Sequence, residues 1–140
     1  MTTVYILRHG KSDYYKIGIA KDIKSRIATF QIGNPIPLVE VDSFVESRRG
    51  DAYTKEGYLH SIFSSMHHYG EWFNVPLSKK DDFFAEIKQM KAFTMDEAKG
   101  YIREKIFNGD KCLVVGCEKL AQVGMFCRHH YLNLCELGIE

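Results

Sequence analysis

The spacing of apolar and polar residues in the first half of the chain predicts a β-sheet with flanking helices. Residues 3–8 and 15–20 are two apolar runs joined by HGKSD, a loop rich in turn-forming residues, and they predict a β-hairpin. Residues 38–46, LVEVDSFVE, alternate apolar and polar positions and predict a third strand. We therefore expect an α/β fold with a small, three-stranded, mainly antiparallel sheet flanked by helices.

Two segments repeat apolar residues at helical spacing. Residues 21–33 place three apolar side chains on one face, and a glycine and a proline follow to end the helix. Residues 51–70 predict a second helix that ends at Gly70. The apolar stripe of this second helix consists of Leu59, Ile62, Phe63 and Met66.

The following residues predict shorter elements. Residues 71–75, EWFNV, indicate a short extended segment. Ser78 is predicted to cap a third helix that runs to about Met90. Thr94 and Glu97 form the capping-box pattern of a fourth helix, which ends near an Asn-Gly pair.

Composition indicates a globular chain without a membrane segment. Of the 140 residues 45% are hydrophobic, and the net charge is only +1, so any nucleic-acid-binding surface has to be local. No apolar run has membrane-spanning length, and the N-terminus lacks the features of a signal peptide, so we expect a cytoplasmic protein without a membrane partner. The pattern predicts a first domain over residues 1–92, a linker helix over 93–110 and a separate module over 111–140.

All four cysteines lie in that C-terminal module. The pattern C-x4-C, nine residues, then C-x2-H gives four potential ligands for a tetrahedral structural Zn²⁺ site: Cys112, Cys117, Cys127 and His130. The alternative is that the cysteines are small buried apolar residues. His129 is an alternative ligand to His130, and Cys135 falls outside the pattern. The stretch also resembles small treble-clef-like zinc modules.

Five polar residues lie at the border of the predicted core: Tyr5 and Lys16 on the hairpin, Arg26 on the first helix, and Glu56 and His60 on the second. Gly18 lies within the second strand, where glycine weakens packing and often marks a close approach of another group. Taken singly, each polar residue has an ordinary alternative, such as a half-buried strand aromatic, a surface ion pair or an i, i+4 helix neighbour.

Taken in order, these residues resemble the GIY-YIG endonuclease superfamily over roughly residues 3–77. Thr3-Val4-Tyr5 stands at the Gly-Ile-Tyr motif, and Lys16-Ile17-Gly18 stands at the Tyr-Ile-Gly motif. One phage and bacterial branch of the superfamily is matched further by QIGNPIPL, by an E..LH..F helix and by GEWF, which are residues 31–38, 56–63 and 70–73. Arg26 matches the helix arginine of the superfamily.

The resemblance implies an endonuclease that hydrolyses phosphodiester bonds in DNA and depends on Mg²⁺ or Mn²⁺. Glu56 would bind the metal, Arg26 would stabilise the phosphate, and Tyr5 would help to activate the attacking water. Lys16, in the place of the second tyrosine, would contact phosphate or lower the pKa of Tyr5. His60 would orient a group or carry a proton.

The sequence departs from the superfamily pattern at three positions. Thr3 and Lys16 replace the first residues of the two triplets, and Phe30 stands where some members have a histidine. These departures favour, as an alternative, a nucleic-acid-binding or regulatory module that does not cleave. A protein-interaction adaptor is a third hypothesis. The oligomeric state stays open, because cutting both strands from one site requires two copies or two events.

The GEWF motif has two interpretations. Trp72 and Phe73 are predicted to be structural, with Trp72 as a core anchor. Glu71 is either a second acid of the site or a surface residue.

Overall fold

Five antiparallel strands form one sheet in the computed structural model, which describes residues 1–108. In chain order the strands are β1 (Thr2–His9), β2 (Tyr14–Ala20), β3 (Leu38–Glu46), β4 (His67–Tyr69) and β5 (Trp72–Asn74). Their order across the sheet is β3-β1-β2-β5-β4. The predicted zinc ligands Cys112, Cys117, Cys127 and His130 lie outside the described residues.

The prediction of a three-stranded sheet is therefore wrong in strand number. The three long strands correspond to those predicted, but a short hairpin of β4 and β5 extends the sheet beyond β2. Three-residue strands are too short to show a period of two, and the polar residues HHY of β4 carry no apolar pattern. Gly70, with a φ of 55°, occupies the tight turn between β4 and β5.

Four helices accompany the sheet: α1 (Ile23–Gln31), α2 (Arg49–Ile62), α3 (Lys80–Ala92) and α4 (Met95–Asn108). Within residues 1–108, none of them has the length and apolar character needed to cross a membrane. The predicted capping box is present, because the N–H of Thr94 donates to the Glu97 carboxylate (3.0 Å) and the N–H of Glu97 donates to the Thr94 hydroxyl (3.2 Å).

Two predicted helix boundaries are wrong. The second helix ends at Ile62 rather than Gly70, since Phe63 leaves the helical conformation and the chain enters a single 3₁₀ turn, Ser64–Met66. Phe63 and Met66 are still buried, so the apolar stripe is used by the core although the helix has ended. Ser78 lies in a second 3₁₀ turn, and α3 begins after Lys79 without a side-chain cap.

The two faces of the sheet are covered differently. One face packs against α2, α3 and α4 and forms the main core, which includes Val4, Ile17, Leu59, Phe73 and Phe83. The opposite face carries a smaller cluster in which Tyr5, Leu7 and Ala20 meet Ile23, Ile27 and Phe30 of α1. Because neighbouring residues on a strand alternate between faces, Lys16 and Gly18 belong to this smaller face. The candidate site therefore begins on the thinly covered side of the sheet.

Candidate active site

Tyr5 and Gly18 are direct neighbours across β1 and β2. A Cβ atom added to Gly18 would lie 2.4 Å from Tyr5 Oη and 2.8 Å from Glu71 Oε2. The space above Gly18 is therefore filled by the phenol and by a carboxylate, and any larger residue would displace them. The glycine in the predicted strand thus marks the close approach of two polar side chains.

The phenol of Tyr5 is buried and neutral at ordinary pH. Burial, and then the nearby Glu71 carboxylate, raise its pKa well above the usual value. Arg26 is a cation that acts in the opposite direction and lowers the pKa of Tyr5. A neutral phenol donates a hydrogen bond, so Tyr5 is suited to orient an oxygen atom of a ligand.

Lys16 is held by one carboxylate and two aromatic rings. Its Nζ atom lies 3.0 Å from Glu71 Oε2, 4.5 Å from the centroid of the Phe30 ring and 5.6 Å from that of Trp72. The Lys16 side chain is only 10% exposed, while that of Glu71 is 43% exposed. The ammonium is therefore fixed in position, and its partner carboxylate remains accessible from solvent.

Glu56 of α2 is half-buried and electrostatically coupled to this pair. Burial, and then the Glu71 carboxylate, raise the pKa of Glu56 to about 7, while Lys16 and Arg49 act in the opposite direction. Two carboxylates of like charge thus share one region, and the cations around them compensate only part of that charge.

His60 of α2 is hydrogen-bonded to the backbone of β2, the strand that carries Lys16 and Gly18. It is buried, and its Nε2 atom lies 2.9 Å from the carbonyl of Ile17, which accepts the hydrogen bond. The N–H of the same Ile17 donates to the carbonyl of Glu71 at 3.2 Å. Burial lowers the pKa of His60, so a neutral imidazole with its proton on Nε2 fits this geometry. Its ring meets Phe73 edge-on, with centroids 5.0 Å apart.

Arg26 lies at the margin of the arrangement. It is exposed on α1, and its guanidinium carbon is 5.9 Å from the centroid of Phe30. Phe30 therefore has two cations near its ring, Lys16 and Arg26, and packs against both.

Glu71, predicted to be either a second acid of the site or a surface residue, is linked to several of the predicted site residues. It pairs with Lys16, lies against the space over Gly18 and raises the pKa of both Tyr5 and Glu56. Trp72, the next residue in the chain, pairs with Lys16 across β2 and β5. A prediction of this strand pairing would therefore have placed Glu71 near Lys16.

The predicted structural role of Trp72 is only half met. Phe73 is fully buried in the main core, but Trp72 faces the other side of the sheet and is half-exposed. It lies beside the ammonium of Lys16 instead of anchoring the core.

The two carboxylates of this site, Glu56 and Glu71, are donors of the chemical kind that a divalent cation prefers. Residues 1–108 contain no group of three or more His, Cys, Asp or Glu residues that could hold a metal ion. Mg²⁺, however, is commonly bound through one or two carboxylates, with water and phosphate oxygens as the other ligands. Glu56 and Glu71 could supply such carboxylates, because Glu71 is close enough to add to the effect of burial on the pKa of Glu56.

Comparison with known proteins gives a family but no individual relative. Neither the curated proteins nor the solved structures include a match to this chain. The model of the T5orf172 domain matches residues 2–88, which contain all five strands and every candidate residue of the site described above. The chain therefore belongs to the T5orf172 domain family, a phage-associated family of the GIY-YIG/HNH-like endonuclease type.

Proposed function

We propose that this protein is a divalent-metal-dependent endonuclease that hydrolyses phosphodiester bonds in DNA. The observation that carries the proposal is the meeting of the Tyr5 phenol and the Glu71 carboxylate over Gly18, with Lys16 paired to Glu71 and Glu56 electrostatically coupled to both. Phosphodiester hydrolysis needs these kinds of groups, because charge on the phosphate has to be offset and a water molecule has to be positioned.

Glu56 and Glu71 are the residues that would hold Mg²⁺ or Mn²⁺. The cation, when bound, offsets phosphate charge and lowers the pKa of a coordinated water. Glu71 also keeps Lys16 in place, so its carboxylate serves two neighbours at once. We assign Glu71 to the site for this reason, in addition to the residues that the resemblance implies.

The remaining residues bind and orient the substrate. Lys16 and Arg26 both lie near the Phe30 ring and would offer two positive charges to phosphate oxygens. Tyr5 donates a hydrogen bond from its neutral phenol and so orients an oxygen of the phosphate or the attacking water. His60 is a positioning residue, because it fixes the Ile17 backbone between Lys16 and Gly18 and is itself buried.

The C-terminal module has a separate proposed role. Cys112, Cys117, Cys127 and His130 would bind a structural Zn²⁺ ion, whose four protein ligands leave no open position for a water molecule. The proposal is supported by the ligand spacing, and by the inability of about thirty residues to build a sufficient core alone.

A non-cleaving nucleic-acid-binding module is the second candidate. The observation in its favour is the burial of Tyr5, whose side chain is 1% exposed and therefore needs a local rearrangement to contact a substrate. Lys16 and Arg26 would still bind phosphate in such a module.

Cleavage of supercoiled plasmid DNA in the presence of Mg²⁺ or Mn²⁺ tests the proposal. We expect metal-dependent nicking or linearisation that is lost on chelation and reduced at least a hundredfold in Glu56→Gln. Glu104→Gln, the same change at an exposed glutamate of α4, is the matched control and should cleave like the unmodified chain. Binding of the plasmid without cleavage under any of these conditions would favour the second candidate.

A further inference from the structure

An open pocket lies on the sheet beside the candidate active site. It has a volume of about 340 Å³, and its lining consists of His9, Tyr14, His68, Tyr69 and Trp72. These residues come from the end of β1, the start of β2 and the hairpin of β4 and β5. The same hairpin carries Glu71 in its turn, so the pocket and the site share one supporting element.

All five side chains that line the pocket carry aromatic rings. Tyr14 and His68 lie with ring centroids 4.9 Å apart, and His9 meets Trp72 edge-on at 6.2 Å. Tyr69 is 77% exposed and is packed into neither of the two cores. Exposed rings gathered around an opening are typical of a binding surface, since packing of the fold does not require them.

Trp72 joins the pocket to the cationic part of the site. Trp72 lines the pocket, and the ammonium of Lys16 lies 5.6 Å from the centroid of the Trp72 ring. A flat apolar recess next to a fixed cation matches the two halves of a nucleotide, which are an aromatic base and an anionic phosphate.

We propose that this pocket receives one unpaired base of the nucleic acid while the adjoining phosphate lies at Lys16. The inference rests on the proposed function and specifies its substrate as a single-stranded or locally opened strand. A base inside a duplex is stacked and paired, and it enters such a pocket only when it is extruded or already unpaired. The volume lies at the low end of the range for small-ligand sites, roughly 300–1,000 Å³, and suits one base better than a peptide segment.

The chain contains a single tryptophan, so fluorescence reports on this pocket directly. We would titrate the full-length Glu56→Gln variant, in which cleavage is suppressed, with three probes of equal length. These are a single-stranded DNA oligonucleotide, its abasic counterpart with the same phosphates, and the corresponding duplex. Anisotropy of a dye on each probe measures binding in parallel, independently of Trp72.

We expect the single strand to quench Trp72 fluorescence and the abasic strand to bind without quenching. In a Tyr69→Ala background the single strand should bind roughly 5- to 150-fold more weakly, since stacking on an aromatic ring stabilises a base by roughly 1–3 kcal/mol. The abasic strand should bind both proteins equally. Val45→Ala is the matched control, because it also shortens an exposed apolar side chain but lies on β3 at the opposite edge of the sheet.

Two results would overturn the inference, and they differ in what they say about the enzyme. Equal affinity for the single and abasic strands, with unchanged Trp72 fluorescence, would refute the base pocket while binding and plasmid cleavage by the unmodified chain leave the proposed function intact. Absence of binding to all three probes would remove both proposals and favour a protein ligand for the pocket. Base-dependent quenching without any plasmid cleavage would support the pocket and contradict only the hydrolytic activity.

Discussion

Replacement of Gly18 by alanine should disturb the site directly, because the added methyl group would collide with two of its side chains. The new Cβ would lie 2.4 Å from Tyr5 Oη, 2.6 Å from Tyr5 Cζ and 2.8 Å from Glu71 Oε2. Favourable contacts between heavy atoms begin at about 3.5 Å, so the phenol has to retreat by roughly 1 Å. Tyr5 is buried against Leu7 and the α1 cluster, which leaves the ring no free volume to enter.

Two measurements follow from this geometry. Overpacking of this kind lowers the free energy of unfolding by about 1–3 kcal/mol, which urea denaturation detects as a lower midpoint at constant slope. A displacement of about 1 Å in an active site reduces the rate by roughly a hundredfold, so plasmid cleavage should fall by that factor. Gly57→Ala is the control for stability, because no atom lies within 4 Å of its new Cβ and the residue is in the interior of α2. That variant should gain about 0.5–1 kcal/mol.

A double-mutant cycle isolates the contact itself. Leucine at position 5 lacks both Cζ and Oη, so Gly18→Ala should be close to neutral in a Tyr5→Leu background. An equal loss of stability in both backgrounds would show that the methyl group acts elsewhere, and the reasoning from these three distances would then be refuted.

Three further predictions concern the rest of the chain. Lys55 is 1% exposed and paired with Glu46, so Lys55→Met should lower the free energy of unfolding by about 3–5 kcal/mol in urea, and an unchanged midpoint would contradict the ion pair. The pKa of Asp22 is lowered, chiefly by the backbone N–H that it caps, so its stabilisation of α1 is complete above pH of about 4 and declines as the pH falls through the folded-state value. The acid-induced decrease of the melting temperature should therefore be smaller in Asp22→Asn, and an identical pH profile would argue against the cap. Metal analysis of the full chain should find zinc that is lost in Cys112→Ser and kept in Cys135→Ser, and equal zinc contents of the two variants would exclude the proposed ligand set.

The sequence predicted the parts of the fold that repeat a pattern over enough residues. β1, β2 and β3 are long, and their residues are apolar or alternate between apolar and polar. The capping-box pattern specifies by its spacing that Thr94 and Glu97 bond to each other. β5 lies within the extended segment that was predicted over residues 71–75, but the three residues of β4 carry no such signal and pair only with β5. The end of α2 was overestimated for the same reason, because the apolar spacing continues through Met66 whether or not the backbone remains helical.

The candidate site was predictable to the extent that motif order implies proximity. Tyr5 and Lys16 lie on the same face of the hairpin, and Glu56 and His60 come to that hairpin from α2. The burial of His60 and its hydrogen bond to the Ile17 carbonyl were not predictable from the sequence. The position of Glu71 could not be predicted without the hairpin of β4 and β5, because the turn at Gly70 and Glu71 brings the Glu71 carboxylate against Gly18.

The hairpin of β4 and β5 makes the arrangement around Lys16 depend on one short segment of the chain. It is paired with β2 through only three residue pairs, whereas Glu56 comes from a helix in the main core. Phe73 of β5 is buried in the main core, so local opening of this hairpin has to expose that ring as well as break the pairing with β2. Detachment would remove Glu71 and Trp72 together and release the ammonium of Lys16. One local event within residues 67–74 would therefore disturb both the partner of Lys16 and the lining of the aromatic pocket, while Glu56 would keep its place on α2.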